Sequence, residues 1–590
     1  MTNHFQLDAM QNLKGHISIL DRGGSGWLHF HKILGDSKVN YYFCLSFVIV
    51  VLSVLIKFPT LVTSAEFYAE TAEIFFREAR AASLWRIITY TDADYLVTFQ
   101  LLVSFILVRV FGVVEYFPGT VNLLFLLFIA FCASLINLRA FRVLITSDFL
   151  RFMIGLSIGL TPYLELYQLL HANLYGFMIY LLFIFVDKGQ FNRGLFCVLT
   201  FLLFLVGIAR PNLVAFLPVY IMLLGIAIKK QRIRDIIFYG TGTVSLSLQA
   251  YVLIMAQLFW SHRKDIGIYN EITGIESLML PIYVTINQYF RTLLAVIYKD
   301  VVGFYQLVGL IFITTVFVML ASYYLYTKKR YFILYYFCLS QLLALGLLYF
   351  IAFSSPVPAD WSMILYNPMR WWAYSNFVIY LSMMILSYNT VQEMISTVST
   401  ATLRKVLYRF SAVAFALLAV LFHIYPFYQY VDPYSGHESL SNWQKYRHLL
   451  KDEDYYIPAN PVMTFQWGIW KDNAQLNIDV KAEGVVSGIN LSAPEGDLQL
   501  RTALIVNHGY DNSMNDLIVK AYDMEGKEIA IPRRLNDLED KYLYYHFTER
   551  IHPSSLEFFN EKLQRINIRP DLRLFGKLET DERIVLTEKR

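Results

Sequence analysis

The chain has 590 residues, 56% of them hydrophobic and 16% aromatic, with a formal net charge of only +4. Soluble domains are about 45–50% apolar, so this composition excludes an ordinary soluble globular protein and indicates a polytopic membrane protein. The near-neutral charge argues against a nucleic-acid partner. The four cysteines, Cys44, Cys132, Cys197 and Cys338, all fall in apolar stretches. They read as small buried hydrophobes and not as a disulfide framework or a zinc site.

Residues 1–40 are polar, with Asp8, Lys14, Asp21, Arg22 and Lys32 and no apolar core. A cleavable signal is therefore not expected, and the first span acts as a retained anchor behind a cytoplasmic N-terminal segment. A span needs about 20 apolar residues. Such stretches occur at 41–58, 119–137, 143–161, 173–187, 194–209, 213–228, 236–258, 301–326, 331–353, 375–393 and 408–426. Basic connectors follow at Arg139/Arg142, Lys188/Arg193, Lys229 to Arg234, Lys328 to Arg330, and Arg404/Lys405/Arg409.

The apolar segment 95–114 decides the parity. If it crosses, every later basic connector lands outside, against the positive-inside rule. If it stays in the interface, all five lie inside with the N-terminus. Arg109 and the Phe111-Gly112 break weaken it as a span. The expectation is therefore about eleven crossings forming a transmembrane domain over 41–426, with non-crossing juxtamembrane helices at 62–114. The loops 162–172, 259–300 and 354–374 and everything after 427 then share one outer face. Residues 427–590 are charged and alternate like strands: Leu517 to Tyr522, a turn at Asp523 to Lys527, then Glu528 to Ile531. This is a hairpin signature and predicts a soluble, mainly β, extracytoplasmic domain of sandwich type.

The first outer loop concentrates acids: Glu66, Glu70, Glu73, Asp92 and Asp94. Glu66, Glu70 and Glu73 recur at i, i+4 and i+7 and would share one face of a helix. One of them can serve as general base toward an acceptor hydroxyl. The plainer alternative is an interfacial helix with its acids in water, Arg77, Glu78 and Arg80 being further solvated charges. Asp92-Ala93-Asp94 has the D-x-D form of metal-dependent glycosyltransferases, which leaves a divalent metal open. No cofactor is otherwise predicted and no metal ligand is assigned. A second cluster is Glu165, His171 and Asn173, suited to sugar hydroxyls, a base or a phosphate. A third is Asn367 to Trp372, where Arg370 and Trp371 suit a lipid phosphate and a sugar or prenyl tail. An aromatic belt with a snorkelling arginine explains it equally. Arg210-Pro211-Asn212 adds positive charge. Asp148 and Arg151, at i and i+3, read as a neutralising pair near the inner edge. Trp443, Trp467 and Trp470 suit either sugar stacking or a domain core. Asn490-Leu491-Ser492 matches a glycosylation acceptor, a weak pattern.

Residues 67–76 resemble the W-A-E-D-G-x-x-F-F segment that follows the first span in a branch of the GT-C membrane glycosyltransferases. Tyr90 to Leu96 is similar to that branch's aromatic S-P-Y-x-G-Y-L-type segment. Thr161 to Glu165 and His171 to Tyr175 resemble its P-x-x-x-E-x-x-x-N-x-x-N-x-x-W-type segment. The resemblance covers about 41–260 and departs at Thr71 and Ala72, where Asp and Gly are usual. It implies an inverting glycosyltransferase like those acting on bacterial O-antigen and other surface glycans of the inner membrane. Such an enzyme moves a hexose, glucose included, from a polyprenyl-phosphate-linked donor to a glycan or lipid-linked acceptor on the periplasmic face. In that role Glu70 is the base, Glu66 the reserve and Asp94 an acceptor-orienting group. Asp92, Tyr95, Glu165, His171, Asn173, Arg370 and Trp371 would contact substrates. The alternative from another class is a transporter or flippase of a lipid-linked glycan, which predicts inverted repeats and mid-membrane charges. No repeat is visible in the sequence.

Overall fold

The computed structural model describes residues 37–63, 65, 71–92, 95–161, 167, 169, 173–186, 188, 191, 193–255, 304–354 and 369–429. In the C-terminal region it describes 457–458, 468–469, 476–481, 488–492, 498–506, 517–530, 533–534, 542–551, 555–560, 562–564, 571–578 and 585–589. The polar segment before residue 37 lies outside this description.

The chain is mostly helical up to residue 429. Its α-helices are α1 (Ser37–Lys57), α2 (Arg77–Ala81), α3 (Leu84–Thr89), α4 (Thr98–Phe105), α5 (Phe117–Ser134), α6 (Asp148–Gly159), α7 (Phe177–Leu182) and α8 (Arg193–Gly207). They continue as α9 (Leu217–Lys229), α10 (Ile233–Met255), α11 (Phe304–Thr327), α12 (Tyr331–Ser354), α13 (Met369–Ser396), α14 (Ala401–Ala419) and α15 (Tyr425–Gln429). A two-strand hairpin, β1 (Thr91–Asp92) and β2 (Tyr95–Leu96), precedes α4.

Four helical stretches among the described residues are long and apolar enough to cross a membrane: Phe117–Asn137, Pro211–Lys229, Ile233–Met255 and Tyr331–Leu348. Tyr41–Lys57, Thr98–Val110, Arg193–Gly207 and Phe312–Thr327 are shorter apolar helices. Phe201, Phe312, Leu342 and Phe410 project from helix surfaces, an exterior compatible with a membrane protein. Two stretches read as spans are broken. In 143–161 the helix restarts at Asp148 because the Ser147 hydroxyl caps it, accepting from Leu150 N at 3.2 Å. In 173–187, α7 is flanked by 3-10 turns Asn173–Gly176 and Phe183–Phe185. The cysteine expectation needs correction: Cys132 is buried, but Cys44, Cys197 and Cys338 lie on exposed helix faces. They point outward because an apolar thiol suits an apolar exterior as well as a core.

Glycine sets how closely α1, α5 and α6 approach. Gly155 and Gly159 stand one turn apart on α6. A Cβ at Gly155 would meet the Ala133 carbonyl oxygen at 3.0 Å and Ser46 Oγ at 3.2 Å. At Gly159 it would meet Val50 Cγ2 at 2.6 Å. Small residues spaced this way let apolar helices touch backbone to backbone. Polar pairs then join α6 to α13, with Ser157 and Tyr380 hydroxyls 3.1 Å apart.

The basic connectors are linked to one another. Asn389 of α13 donates to the Leu144 carbonyl at 2.8 Å, and Arg330 pairs with Glu393 on the same helix at 2.5 Å. The Phe141 and Phe183 rings meet edge to face with centroids 5.3 Å apart, joining the connector at 139–143 to that at 183–193. Arg234 donates to the Phe191 carbonyl at 2.6 Å, and buried Lys188 bonds Phe183 O at 2.6 Å with Asp235 at 4.0 Å. Arg142 and Arg151 both pair with Asp148, a triad where the sequence suggested only a pair. Arg404 donates to the Ser396 carbonyl at the end of α13 at 3.5 Å, so all five connectors occupy one end of the bundle.

After residue 457 every described element is a strand. Two five-stranded antiparallel sheets form: β10–β11–β7–β13–β5 (Arg533–Arg534, Tyr542–Ile551, Leu498–Val506, Asp571–Leu578, Leu476–Lys481) and β14–β6–β12–β8–β9 (Val585–Lys589, Gly488–Ser492, Ser555–Phe559, Ile518–Tyr522, Glu528–Ala530). In the second sheet Ile489, Leu556 and Ala521 are cross-strand partners, as are Phe558 and Val519, and this face is buried. Period-2 alternation produces it. The hairpin at 518–530 turns through Gly526 at φ +78°, with Asp523 accepting from Glu525 N and Lys527 N. Glu528 bonds Lys520 at 2.9 Å and raises its ammonium above the usual lysine value. Asn490 lies inside a strand paired on both sides, which is no place for a glycan. A small pair, β3 (Ile457–Pro458) with β4 (Gly468–Ile469), precedes the sheets.

Gly159→Leu should lower the melting temperature of the detergent-purified protein by an amount equivalent to about 1–3 kcal/mol of overpacking. Gly225→Ala, where a Cβ meets nothing within 4 Å, should leave it unchanged or slightly raised. Equal behaviour of the two would remove Gly159 from the helix contact.

Candidate functional site

The other end of the bundle collects the segments singled out by their chemistry. The chain leaves α1 at a 3-10 turn ending at Leu61, and Asn122 of α5 donates to the Leu61 carbonyl at 3.0 Å. Residues 62–116 therefore depart from and return to one place. Within this excursion α4 continues as a π turn, Ile106–Val110. Thirteen residues rise about 20 Å, short of the roughly 30 Å hydrocarbon core. Both ends of this helix are tied to α2 and α3: Thr98 Oγ1 donates to Ile88 O at 2.9 Å and Arg109 Nε to Ala79 O at 3.1 Å. The apolar side of α3 faces outward, with Trp85 74% exposed beside Leu84 and Ile88.

Among the acids, Glu66, Glu70 and Asp94 lie outside the described residues. Glu73 belongs to a π turn, Thr71–Phe76, that begins immediately after Glu70. A π turn bonds i to i+5, so Glu73 itself is not on a regular α-helix, and whether it shares a face with Glu66 and Glu70 lies outside the described residues. Asp92 is directly opposite Tyr95 in the hairpin register. Glu165 and His171 also lie outside the description. Asn173 opens the 3-10 turn before α7, and Arg370 and Trp371 lie in the first turn of α13.

Contacts gather these segments. Tyr167, fully buried, accepts from Thr161 N at 2.8 Å and donates to Gly159 O at 3.0 Å. Its ring lies 6.1 Å from Phe58, which lies 5.8 Å from Phe427. Lys57 donates to Tyr428 O at 2.9 Å, so the chain leaves the last helix beside the end of the first. Tyr175 and Phe377 pack 5.7 Å apart, setting the Asn173 turn against the third turn of α13. The π turn Thr71–Phe76 packs on α4, and β4 lies against the same π turn. The C-terminal region thus reaches the segment that follows Glu70. Trp467 and Trp470 flank β4 in sequence but lie outside the described residues, as does Trp443.

Glu78 is the main correction in this loop. It is not a solvated charge but is 4% exposed, and Arg86 grips both its oxygens at 2.8 and 2.9 Å, with Arg77 at 3.7 Å. The reason is chain geometry: the Ser83 cap starts α3 two residues after α2 ends, which folds the arginine back onto the acid. The clamp positions the loop that carries the candidate acids.

Sequence reasoning gave little weight to Arg210 and none to Gln249. Arg210 is 8% exposed, donates to Tyr95 Oη at 3.2 Å and lies 6.0 Å from that ring's centroid. Gln249, fully buried on α10, accepts from Leu96 N at 3.3 Å. The sequence signal for Arg210 was its place: a cation at the far end of α9 from the Lys229–Arg234 run. Among the described residues no three His, Cys, Asp or Glu side chains come together as a metal site.

Comparison with protein-family models and with curated proteins returns no match. The GT-C resemblance therefore stands on the quoted segments alone.

Arg86→Ala should destabilise more than Glu78→Gln, because it strands a buried carboxylate, whereas the amide stays neutral and keeps hydrogen-bonding capacity. Arg86 is itself exposed, which reduces the loss to about 1–3 kcal/mol. Faster hydrogen exchange over 77–89 in Arg86→Ala than in Glu78→Gln is the expected outcome. The reverse order would show that the clamp is not what holds this loop.

Proposed function

We propose that this chain is an inverting membrane glycosyltransferase that takes a sugar from a polyprenyl-phosphate donor. The observation that carries the reading is convergence. The π turn after Glu70 packs against β4, Arg210 bonds Tyr95 of the hairpin, and the Asn173 turn packs on α13 through Tyr175 and Phe377, all away from the five basic connectors. With basic connectors inside, that end faces outward, where a glycan acceptor and a lipid-borne donor can both arrive. The eleven-crossing topology, the periplasmic placement of residues 427–590 and a bacterial inner-membrane location belong to this proposal. The return of 62–116 to its starting point supports the parity it needs.

In the proposed reaction the Glu70 carboxylate accepts the proton of an acceptor hydroxyl. The hydroxyl oxygen attacks the anomeric carbon from the face opposite the phosphate. The carbon–oxygen bond to phosphate breaks, and the electron pair leaves with the polyprenyl phosphate. One displacement inverts the anomeric centre. Glu66 is the reserve base, with Asp94 orienting the acceptor and Asp92 and Tyr95 as substrate contacts. Glu165, His171, Asn173, Arg370 and Trp371 are the proposed substrate contacts. The donor tail needs the bilayer, and the exposed Trp85 face of α3 suits the membrane surface.

Glu70→Gln should lower transfer by about 10²-fold or more, with membrane insertion and melting temperature unchanged. The assay is purified enzyme, polyprenyl-phosphate hexose and mass analysis of the product. Full activity would remove Glu70 as the base, and wild-type protein yielding no glycosylated product from any such donor would sink the reading. A reporter fused after Gly112 should signal the outer face. A cytoplasmic signal there would overturn the topology.

A further inference from the structure

We propose that the junction of α1, α5 and α6 holds a buried water site, with Ser46 and Asn137 as its ligands. It lies toward the bundle end that carries the basic connectors and is independent of the glycosyltransferase reading. Five buried side-chain atoms here have no protein hydrogen-bond partner: Ser46 Oγ, Ser134 Oγ, Asn137 Nδ2, Asn137 Oδ1 and Arg151 Nε. None of the four residues is more than 1% exposed. Ser46 lies on α1, Ser134 ends α5, Asn137 ends the 3-10 turn that follows, and Arg151 lies in the first turn of α6. Two of them meet over Gly155, one turn beyond Arg151 on α6. A Cβ at Gly155 would lie 3.0 Å from Asn137 Nδ2, 3.2 Å from Ser46 Oγ and 3.0 Å from the Ala133 carbonyl oxygen. Glycine offers only hydrogens on that side, so the amide and the hydroxyl approach with no side chain between them.

Two polar groups that face one point from 3.0 and 3.2 Å are close enough for a single water to reach both. Without such a bridge each group is stranded, which destabilises the fold, and an apolar bilayer interior supplies no other partner. The chemistry of the set selects water over an ion. Asn137 offers both donors and an acceptor, and the Ser46 hydroxyl can act either way. Water also donates and accepts, so it matches a mixed set of this kind. A cation would bring a second positive charge to within a turn of the Arg151 guanidinium, which repels it. An anion needs a positive charge to offset its own, and Arg151 already pairs with Asp148. Ser134 adjoins Ala133 in the chain, and Arg151 precedes Gly155 by one turn, so further polar groups border the same place. Bound there, the water ties the first helix to α5 and α6 by polar bonds where Gly155 and Gly159 bring the backbones together.

The test is an experimental structure of the full chain in lipid nanodiscs, at a resolution that shows ordered waters, with thermal melting of variants beside it. Density within hydrogen-bond distance of both Ser46 Oγ and the Asn137 amide is the expected result. A direct bond between the two side chains, with no density beside them, overturns the site. Ser46→Ala should lower the melting temperature by roughly one to two degrees, because the water loses a partner. Removing a hydroxyl that had no partner at all would leave melting unchanged or raise it, and that outcome overturns the proposal. Asn137→Leu should also melt lower, and in the double variant the two losses should fall short of their sum, since one water serves both groups. Fully additive losses overturn the shared site. Should Asn137→Leu fail to fold, Ser46→Ala and the density decide. Exchanging sodium for choline, or chloride for gluconate, should leave wild-type melting unchanged. A shift on either exchange that Ser46→Ala abolishes overturns water in favour of an ion.

Discussion

One buried hydrogen bond fixes the layout: the Asn122 amide on the Leu61 carbonyl. It joins the end of the first helix to the start of the next long one, and so makes everything between them an excursion from a single end of the bundle. In an apolar interior such a bond is retained because either partner left alone would strand a polar group. Gly119 presses the same junction closed, since a Cβ there would sit 2.5 Å from the Val62 carbonyl oxygen. Were the junction open, nothing would hold the two ends of the 62–116 segment at one end of the bundle.

Charge divides the two ends. At one, buried Arg151 and Lys188 meet Asp148 and Asp235, while the more exposed Arg142 and Arg330 pair with Asp148 and Glu393. These are locks, and they explain why buried charge there needs no ligand. At the other end Arg210 donates to the Tyr95 phenol, and Arg370 stands at the start of α13. Positive charge on the side that the topology rule leaves poor in it calls for a reason other than orientation, and on the proposed reading the reason is an anionic substrate.

Some of this was legible in the sequence and some was not. The hairpin at 518–530 was visible because alternation and the Asp523–Gly526 turn are local signals that a sheet obeys residue by residue. The apolar helices were visible for the same reason. The burial of Glu78 was not, because it depends on a two-residue link that brings Arg86 back over it, and residue type alone reads as a solvated charge. The close packing at Gly155 and Gly159 was written in the spacing but went unread. Arg210 and Gln249 were hidden because each acquires meaning only through Tyr95 and Leu96, more than a hundred residues away along the chain. The outward cysteines show the limit of reading polarity as depth, since in a bilayer the exterior is as apolar as the core.

The π turn at Thr71–Phe76 connects the fold to the chemistry proposed for it. A π turn holds together only where tertiary packing outweighs its poorer local bonding, which is why such turns are rare and concentrate at functional sites. Here it is packed from two directions, by α4 and by β4, and its first residue has a buried hydroxyl without a partner at Thr71 Oγ1. The strand doing part of the packing comes from beyond the last helix, nearly four hundred residues on. If the C-terminal region served only as a passenger on a membrane anchor, nothing would require it to reach this turn. Its contact instead ties the turn that follows Glu70 to the C-terminal region, which on the proposed reading is the part an acceptor would meet first.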